Sequence, residues 1–114
     1  MDKLFTISGV DFLASEFQDD INEFQDIIPI LQDFQEELTL EKIECTDKND
    51  CCFKTKENYI GELVGALNKD DEFYSLKELR LNYDKFKDEI LYPFCIQVYK
   101  CTACNKWIIN LLEE

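Results

Sequence analysis

The chain has 114 residues, 46% of them hydrophobic, and its 25 acidic against 12 basic side chains give a formal charge of −13. This length and composition fit one domain with its own core, so we expect a single domain over residues 1–114. The charge disfavours direct binding to nucleic acid or to an anionic membrane surface and makes a basic protein the natural partner. The chain start lacks the basic and apolar segments of a signal peptide, and no stretch reaches about 18 apolar residues, so the sequence predicts a cytoplasmic protein.

The predicted elements begin with helices. Apolar residues recur at steps of three and four over residues 10–28, which predicts a helix. The apolar positions after Pro29 fall out of phase with that stripe, so a second helix is expected to begin at this proline. A third helical pattern covers roughly residues 57–68, and a capping box at Ser75 starts a fourth helix that continues towards Pro93.

Short strands are predicted in the remaining segments. Thr39–Cys45 is β-prone and leads into a polar turn, while Phe94–Lys100 and Lys106–Leu112 flank a tight turn as the two arms of a hairpin. The expected fold class is therefore α+β. N-terminal helices and two further helices would pack with a small antiparallel sheet.

The hairpin turn contains the pattern Cys101-Thr102-Ala103-Cys104. Two thiolates at this spacing can bind one tetrahedral zinc ion at Zn–S distances of about 2.3 Å. The segment over residues 99–107 resembles the knuckle of a zinc ribbon, a family in which two such turns hold one ion. The resemblance implies a structural zinc ion at this turn.

The second half of the predicted zinc site is less regular than in a ribbon. Instead of another Cys-x-x-Cys, the chain offers Cys45 with either Cys51 or Cys52, and it has no histidine. Cys95 lies about 20 Å from the knuckle along the predicted strand and is expected to be a buried core thiol. The alternatives are that the cysteines are core residues, disulfides or a redox pair. The predicted zinc ligands are Cys45, Cys52, Cys101 and Cys104, with Cys51 as the substitute for Cys52.

The sequence does not favour an enzyme. Without histidine there is no Ser-His or Cys-His pair and no His₂-carboxylate metal site, and the chain's 3 glycines form no phosphate-binding loop. A four-sulfur zinc site would also leave no open position for catalysis. We therefore expect no catalytic residues.

The negative charge is concentrated near the start of the chain. Residues 1–38 contain ten acids and one lysine, a charge of −9, whereas residues 39–114 contain fifteen acids and eleven basic residues, a charge of −4. This predicts an acidic helical surface for a basic partner, although a solvated face that only aids solubility is the alternative. The predicted partner-binding residues are Glu16, Asp19, Asp20, Glu23, Asp26, Asp33 and Glu37.

The leading hypothesis is a non-enzymatic acidic inhibitor of a basic protein, such as a nuclease toxin or a nucleic-acid-binding protein. In overall character the chain is similar to bacterial immunity proteins and to phage inhibitors that mimic DNA to block a defence nuclease. The alternative is a zinc-ribbon-like interaction module in a transcription or nucleic-acid-processing complex. A third possibility is a subunit that docks through Trp107, Ile109 and Leu111, although such a strand face is more often core.

Overall fold

The computed structural model describes residues 3–113, so the extreme ends of the predicted domain lie outside the described residues. Strands predominate in this range. They are β1 (Lys3–Ile7), β2 (Val10–Leu13), β3 (Glu41–Glu44), β4 (Glu57–Leu67), β5 (Phe73–Ser75), β6 (Tyr92–Cys101) and β7 (Trp107–Glu113). The helices are α1 (Ile28–Phe34), α2 (Leu76–Leu81) and α3 (Tyr83–Phe86), and 3₁₀ turns cover Ala14–Glu16 and Ile21–Phe24. Within residues 3–113, every helix is too short or too polar to cross a membrane.

The main sheet is antiparallel and has five strands. Its path runs β3-β4-β6-β7, and β5 pairs with β4. Because β6 occupies one edge of β4 along its whole length, β3 and β5 share the other edge at opposite ends of that strand. β1 and β2 form a separate two-stranded hairpin.

The predicted helix-rich α+β fold is therefore wrong, and residues 10–28 show why. They form β2, the two 3₁₀ turns and the start of α1 rather than one helix. Ser8 and Gly9 have φ values of 51° and 80°, the left-handed pair that a two-residue hairpin turn requires. The turn reverses the chain before the helical pattern begins. Most apolar residues of that pattern still pack in or against the core, because short turns can direct side chains inward as a helix can.

The helix predicted over residues 57–68 is also wrong, because this segment is the central strand β4. Its apolar spacing resembles a helix because the strand carries buried or partly buried residues on both faces and so lacks a simple alternation. Gly61 and Gly65 are the contrary signal, because each costs about 1 kcal/mol in a helix interior. A Cβ at Gly65 would overlap the carbonyl oxygen of Tyr74 on β5, so this strand pairing requires glycine there.

Several local predictions are confirmed. The second helix places Pro29 in its first turn, Thr39–Cys45 contains β3, and the C-terminal hairpin consists of β6 and β7. The capping box at Ser75 is formed in full at the start of α2. That helix does not continue towards Pro93, because Asn82 leaves helical geometry at φ −116° and α3 adds only one more turn.

The core lies between the N-terminal hairpin and the main sheet. Trp107, at the start of β7, is fully buried and meets the rings of Phe5 and Phe12 edge-on at centroid distances of 5.4 and 5.2 Å. Its indole Nε1 donates to the carbonyl oxygen of Leu13 at 2.7 Å. These contacts attach the start of β7, just after the cysteine knuckle, to the N-terminal hairpin.

Candidate metal centre

Four cysteines form a cluster close enough to bind one metal ion. The Sγ atoms of Cys51, Cys52, Cys101 and Cys104 all lie within 4.8 Å of one another. Three of the separations are 3.1 Å for Cys51–Cys104, 3.7 Å for Cys52–Cys101 and 4.0 Å for Cys51–Cys52. Tetrahedral zinc with Zn–S bonds of about 2.3 Å would place its sulfurs about 3.8 Å apart. The four thiols therefore fit a tetrahedral ion with only small shifts.

Two similar turns present these thiols. In the first turn, the N–H of Phe53 donates to the carbonyl oxygen of Asn49 at 2.8 Å, and Phe53 has a left-handed φ of 55°. In the second turn, the N–H of Asn105 donates to the carbonyl oxygen of Cys101 at 3.1 Å, and Asn105 has a left-handed φ of 68°. Each turn thus closes over five residues, reverses the backbone at its last residue and directs two sulfurs to one point.

Sheet register brings the two turns together. Asn58 of β4 lies opposite Cys101 of β6, so the loop before β4 and the turn after β6 meet at the same end of the sheet. The side chain of Asn58 is buried and donates to Oδ1 of Asn49 at 2.7 Å. Asn49 in turn donates through Nδ2 to the carbonyl oxygen of Glu57 at 3.1 Å. The first turn is therefore held onto β4 by an asparagine pair.

The local electrostatics favour a thiolate at Cys101. Burial raises the pKa of this thiol, but hydrogen bonds from the backbone N–H groups of Cys104 and Ala103 and from the Asn49 side chain outweigh burial and lower the pKa to about 6. The pKa of Cys51 is raised, first by burial and then by its hydrogen bonds to neighbouring thiols. Crowded sulfurs resist joint ionisation because their charges repel, and a cation between them would remove that repulsion.

The cluster contains three of the four predicted ligands together with Cys51, which the sequence offered only as a substitute. Cys45 is exposed and lies outside the group, although it lines the adjoining cavity of about 260 Å³ with Cys51 and Cys101. Its sulfur accepts a hydrogen bond from Asn58 Nδ2 at 3.5 Å. The sulfurs of two adjacent cysteines both join the cluster because the turn at Asn49 is tight, which no spacing rule in the sequence indicated.

Cys95 also lies outside the cluster. It is half-buried on the face of β6 that points away from the core, so the expectation of a buried core thiol is not met. Its sulfur lies 3.7 Å from Oε2 of Glu62. Burial, the Glu62 charge and this hydrogen bond together raise the pKa of the Cys95 thiol.

The predicted acidic residues do not form one helical stripe, because residues 10–28 form β2 and short turns rather than the helix that would carry most of them. Glu16 pairs with the buried Lys100 at 3.4 Å, and Glu37 pairs with the exposed Lys77 at 3.8 Å. Asp20 caps the second 3₁₀ turn through its side chain. The exposed remainder, spread over the turns and α1, are Asp19, Glu23, Asp26 and Asp33.

Comparison with known proteins found no match. The chain matches no protein-family model, no curated protein and no solved structure. The fold and site define a mainly antiparallel β domain with four clustered cysteines that could hold a metal ion.

Proposed function

We propose that this chain is a non-enzymatic, acidic inhibitor that binds and neutralises a basic partner protein, in the manner of a toxin immunity protein. The observation that carries the proposal is the charge of −9 on residues 1–38 within a chain of −13. Exposed carboxylates in this region include those of Asp19, Glu23, Asp26 and Asp33, which are spread over the turns and α1 and are not interleaved with lysines. Such a surface attracts a cationic protein and accelerates its association.

The proposed metal is zinc, and its role is structural. Thiolates are soft ligands that favour zinc, and four of them close a tetrahedral site without a position for water or substrate. The ion would join the loop before β4 to the turn between β6 and β7. A closed site of this kind supports a binding protein rather than a hydrolase.

The partner class follows from charge and chemistry. A nuclease toxin or another nucleic-acid-binding protein carries a basic surface that contacts phosphates. Exposed carboxylates can occupy that surface in place of phosphates, and the same carboxylates repel nucleic acid itself. We therefore propose contact with a basic protein and none with nucleic acid or membrane.

The test is capture of the partner from cells that carry this chain, followed by reconstitution with purified components. We expect a basic protein that binds in low salt, is released by added salt and loses its nucleic-acid cleavage or binding at a 1:1 ratio. A variant with Asp19, Glu23, Asp26 and Asp33 changed to their amides should bind more weakly. A partner that is acidic, that binds independently of salt or that keeps its activity would refute the proposal.

One observation favours a second function, a zinc-ribbon-like module within a nucleic-acid-processing complex. The knuckle at Cys101–Cys104 sits in a β-hairpin turn, as the ribbon resemblance implies. Lys100, however, is buried against Phe12 and Glu16, which leaves Lys106 as the exposed lysine beside the knuckle. Such a module would therefore act through protein contacts, and its binding should depend little on salt.

A further inference from the structure

A groove opens on the side of the molecule that carries the second 3₁₀ turn and the end of β7. Its volume is about 670 Å³, within the range of about 300–1,000 Å³ that is typical of ligand pockets. The second 3₁₀ turn, the residues after it and the start of α1 form one wall. The loop between β4 and β5 and the last residues of β7 form the other. Its lining includes Glu23, Asp26, Ile30, Asp71, Leu111 and Glu113.

The floor of the groove is an exposed margin of the hydrophobic core. Ile30, Leu67, Phe73 and Leu111 are only partly buried, yet all pack against the core cluster. Phe73 is held in place by a ring contact with Phe94 at a centroid distance of 6.2 Å. An apolar side chain entering the groove would extend an existing core and leave water, which favours binding.

The rim has one sign of charge. Four carboxylates lie around the floor, from Glu23, Asp26, Asp71 and Glu113, and the groove lining within residues 3–113 includes no lysine or arginine. Low-dielectric walls strengthen the attraction of such a rim for cations. Since the floor is apolar, a ligand that carries both positive charge and apolar side chains complements this groove best.

We infer that this groove is the docking site for a basic segment of the partner protein, in which one or two large apolar side chains alternate with lysine or arginine. The inference rests on the proposed function and deepens it, because it identifies where the basic partner inserts. The apolar side chains would occupy the floor at Leu67, Phe73 and Leu111, and the cations would lie along the rim. Glu23 and Asp26 then act as partner-binding residues because they border an apolar groove, and the helix predicted to carry them is not needed.

The test uses defined peptides rather than the natural partner. A 12-residue lysine peptide with leucines at two central positions is titrated into isotopically labelled protein while amide resonances are recorded. A second peptide has the same number of lysines with serine in place of leucine, and a third has glutamate in place of lysine. We expect the lysine–leucine peptide to shift resonances of groove residues and to bind more than tenfold tighter than the lysine–serine peptide. The glutamate peptide should not bind.

Matched variants test which carboxylates attract the peptide electrostatically. The double variant Glu23→Gln/Asp26→Asn should weaken the lysine–leucine peptide roughly three- to tenfold, as two partly screened ion pairs would. The control Glu41→Gln/Glu44→Gln removes the same charge from β3, the sheet edge opposite β7, and should change affinity by less than twofold. Equal weakening by both pairs, or equal affinity for the leucine and serine peptides, would overturn the groove assignment.

The groove and the proposed function can fail separately. If a basic partner is inhibited equally well by the wild type and the groove variant, the groove inference fails and the proposed function stands. If the lysine–leucine peptide occupies the groove but the captured partner is not basic, the proposed function fails while the groove remains a site for basic apolar segments.

Discussion

Replacing Cys51 by serine should remove the metal, whereas the same change at Cys45 should not. Cys51 Sγ lies in the four-sulfur cluster, and Cys45 Sγ lies outside it with Asn58 as its hydrogen-bond partner. The two variants therefore distinguish the ligand set that the structure supports from the one that the sequence predicted. Elemental analysis and native mass spectrometry in reducing buffer should give one zinc per chain for wild type and Cys45→Ser, and much less for Cys51→Ser.

The expected loss of stability follows from the length of chain that the ion would close. Cys52 and Cys101 are 49 residues apart, and the chain-entropy relation for a cross-link closing a loop of about 50 residues gives about 4 kcal/mol. The core at Trp107 does not depend on the ion, so the metal-free protein should stay folded but melt on the order of 20 °C lower. Adding a chelator should lower the melting temperature of wild type by this amount and leave Cys51→Ser unchanged.

Three results would refute this reasoning. Zinc retained by Cys51→Ser and lost from Cys45→Ser would restore the ligand set predicted from sequence. A stable wild type without metal would remove the site altogether. Protein purified without reductant and lighter by two hydrogen atoms would instead identify a disulfide, for which Cys51 and Cys104, with sulfurs 3.1 Å apart, are a candidate pair.

Three further predictions concern the sheet. Gly65→Ala should lower the free energy of unfolding by several kcal/mol in a denaturant titration, because a Cβ at this position meets backbone atoms. Gly61→Ala should cost less, because the nearest atoms to a Cβ there belong to side chains that can move. Equal losses of stability would contradict the close-packing argument. Lys100→Met should lower the free energy of unfolding by about 1–3 kcal/mol, because the buried ammonium of Lys100 donates to backbone and carboxylate oxygens that would lose their partner. An unchanged unfolding midpoint would show that these hydrogen bonds do not stabilise the fold. The raised pKa of Cys95 should make its alkylation slow near neutral pH and faster as pH rises. Glu62→Gln should lower that pKa and speed alkylation at fixed pH. Mass-resolved alkylation rates check this, and a pH profile unchanged by Glu62→Gln would exclude the carboxylate effect.

Structural elements set by residues close in sequence were predictable, and elements set by long-range pairing were not. The capping box at Ser75, the helix start at Pro29 and the β6–β7 hairpin are set by residues close in sequence, and each was predictable. β4 was not, because its pairing with β6 connects residues such as Asn58 and Cys101 that are far apart in the chain. A short apolar run can form either a helix or a buried strand, and in β4 the pairing with neighbouring strands selects the strand. The available local signal was glycine at positions 61 and 65.

The candidate site shows the same division. The Cys101–Cys104 turn was predictable from its spacing, and the expected tetrahedral four-sulfur chemistry fits the cluster. The choice between Cys45 and Cys51 was not predictable, because it depends on how the turn at Asn49 docks onto β4 through Asn58. Glu23 and Asp26 were identified by composition, but their position beside an apolar groove depends on the β4–β5 loop and the end of β7, which form its other wall.

Metal binding and partner binding should be separable, because they lie at opposite ends of β7. Trp107 begins that strand beside the knuckle and Glu113 ends it in the groove, so its 7 residues place the two features about 20 Å apart. Exposed charges at that separation are screened at physiological salt, where the Debye length is about 8 Å, and the core between them does not depend on the metal. Cys51→Ser should therefore reduce thermal stability while changing the affinity of the lysine–leucine peptide by less than twofold when measured well below the melting temperature. Affinity lost in parallel with zinc, in protein whose amide spectrum remains native around the groove, would show instead that the metal end takes part in recognition.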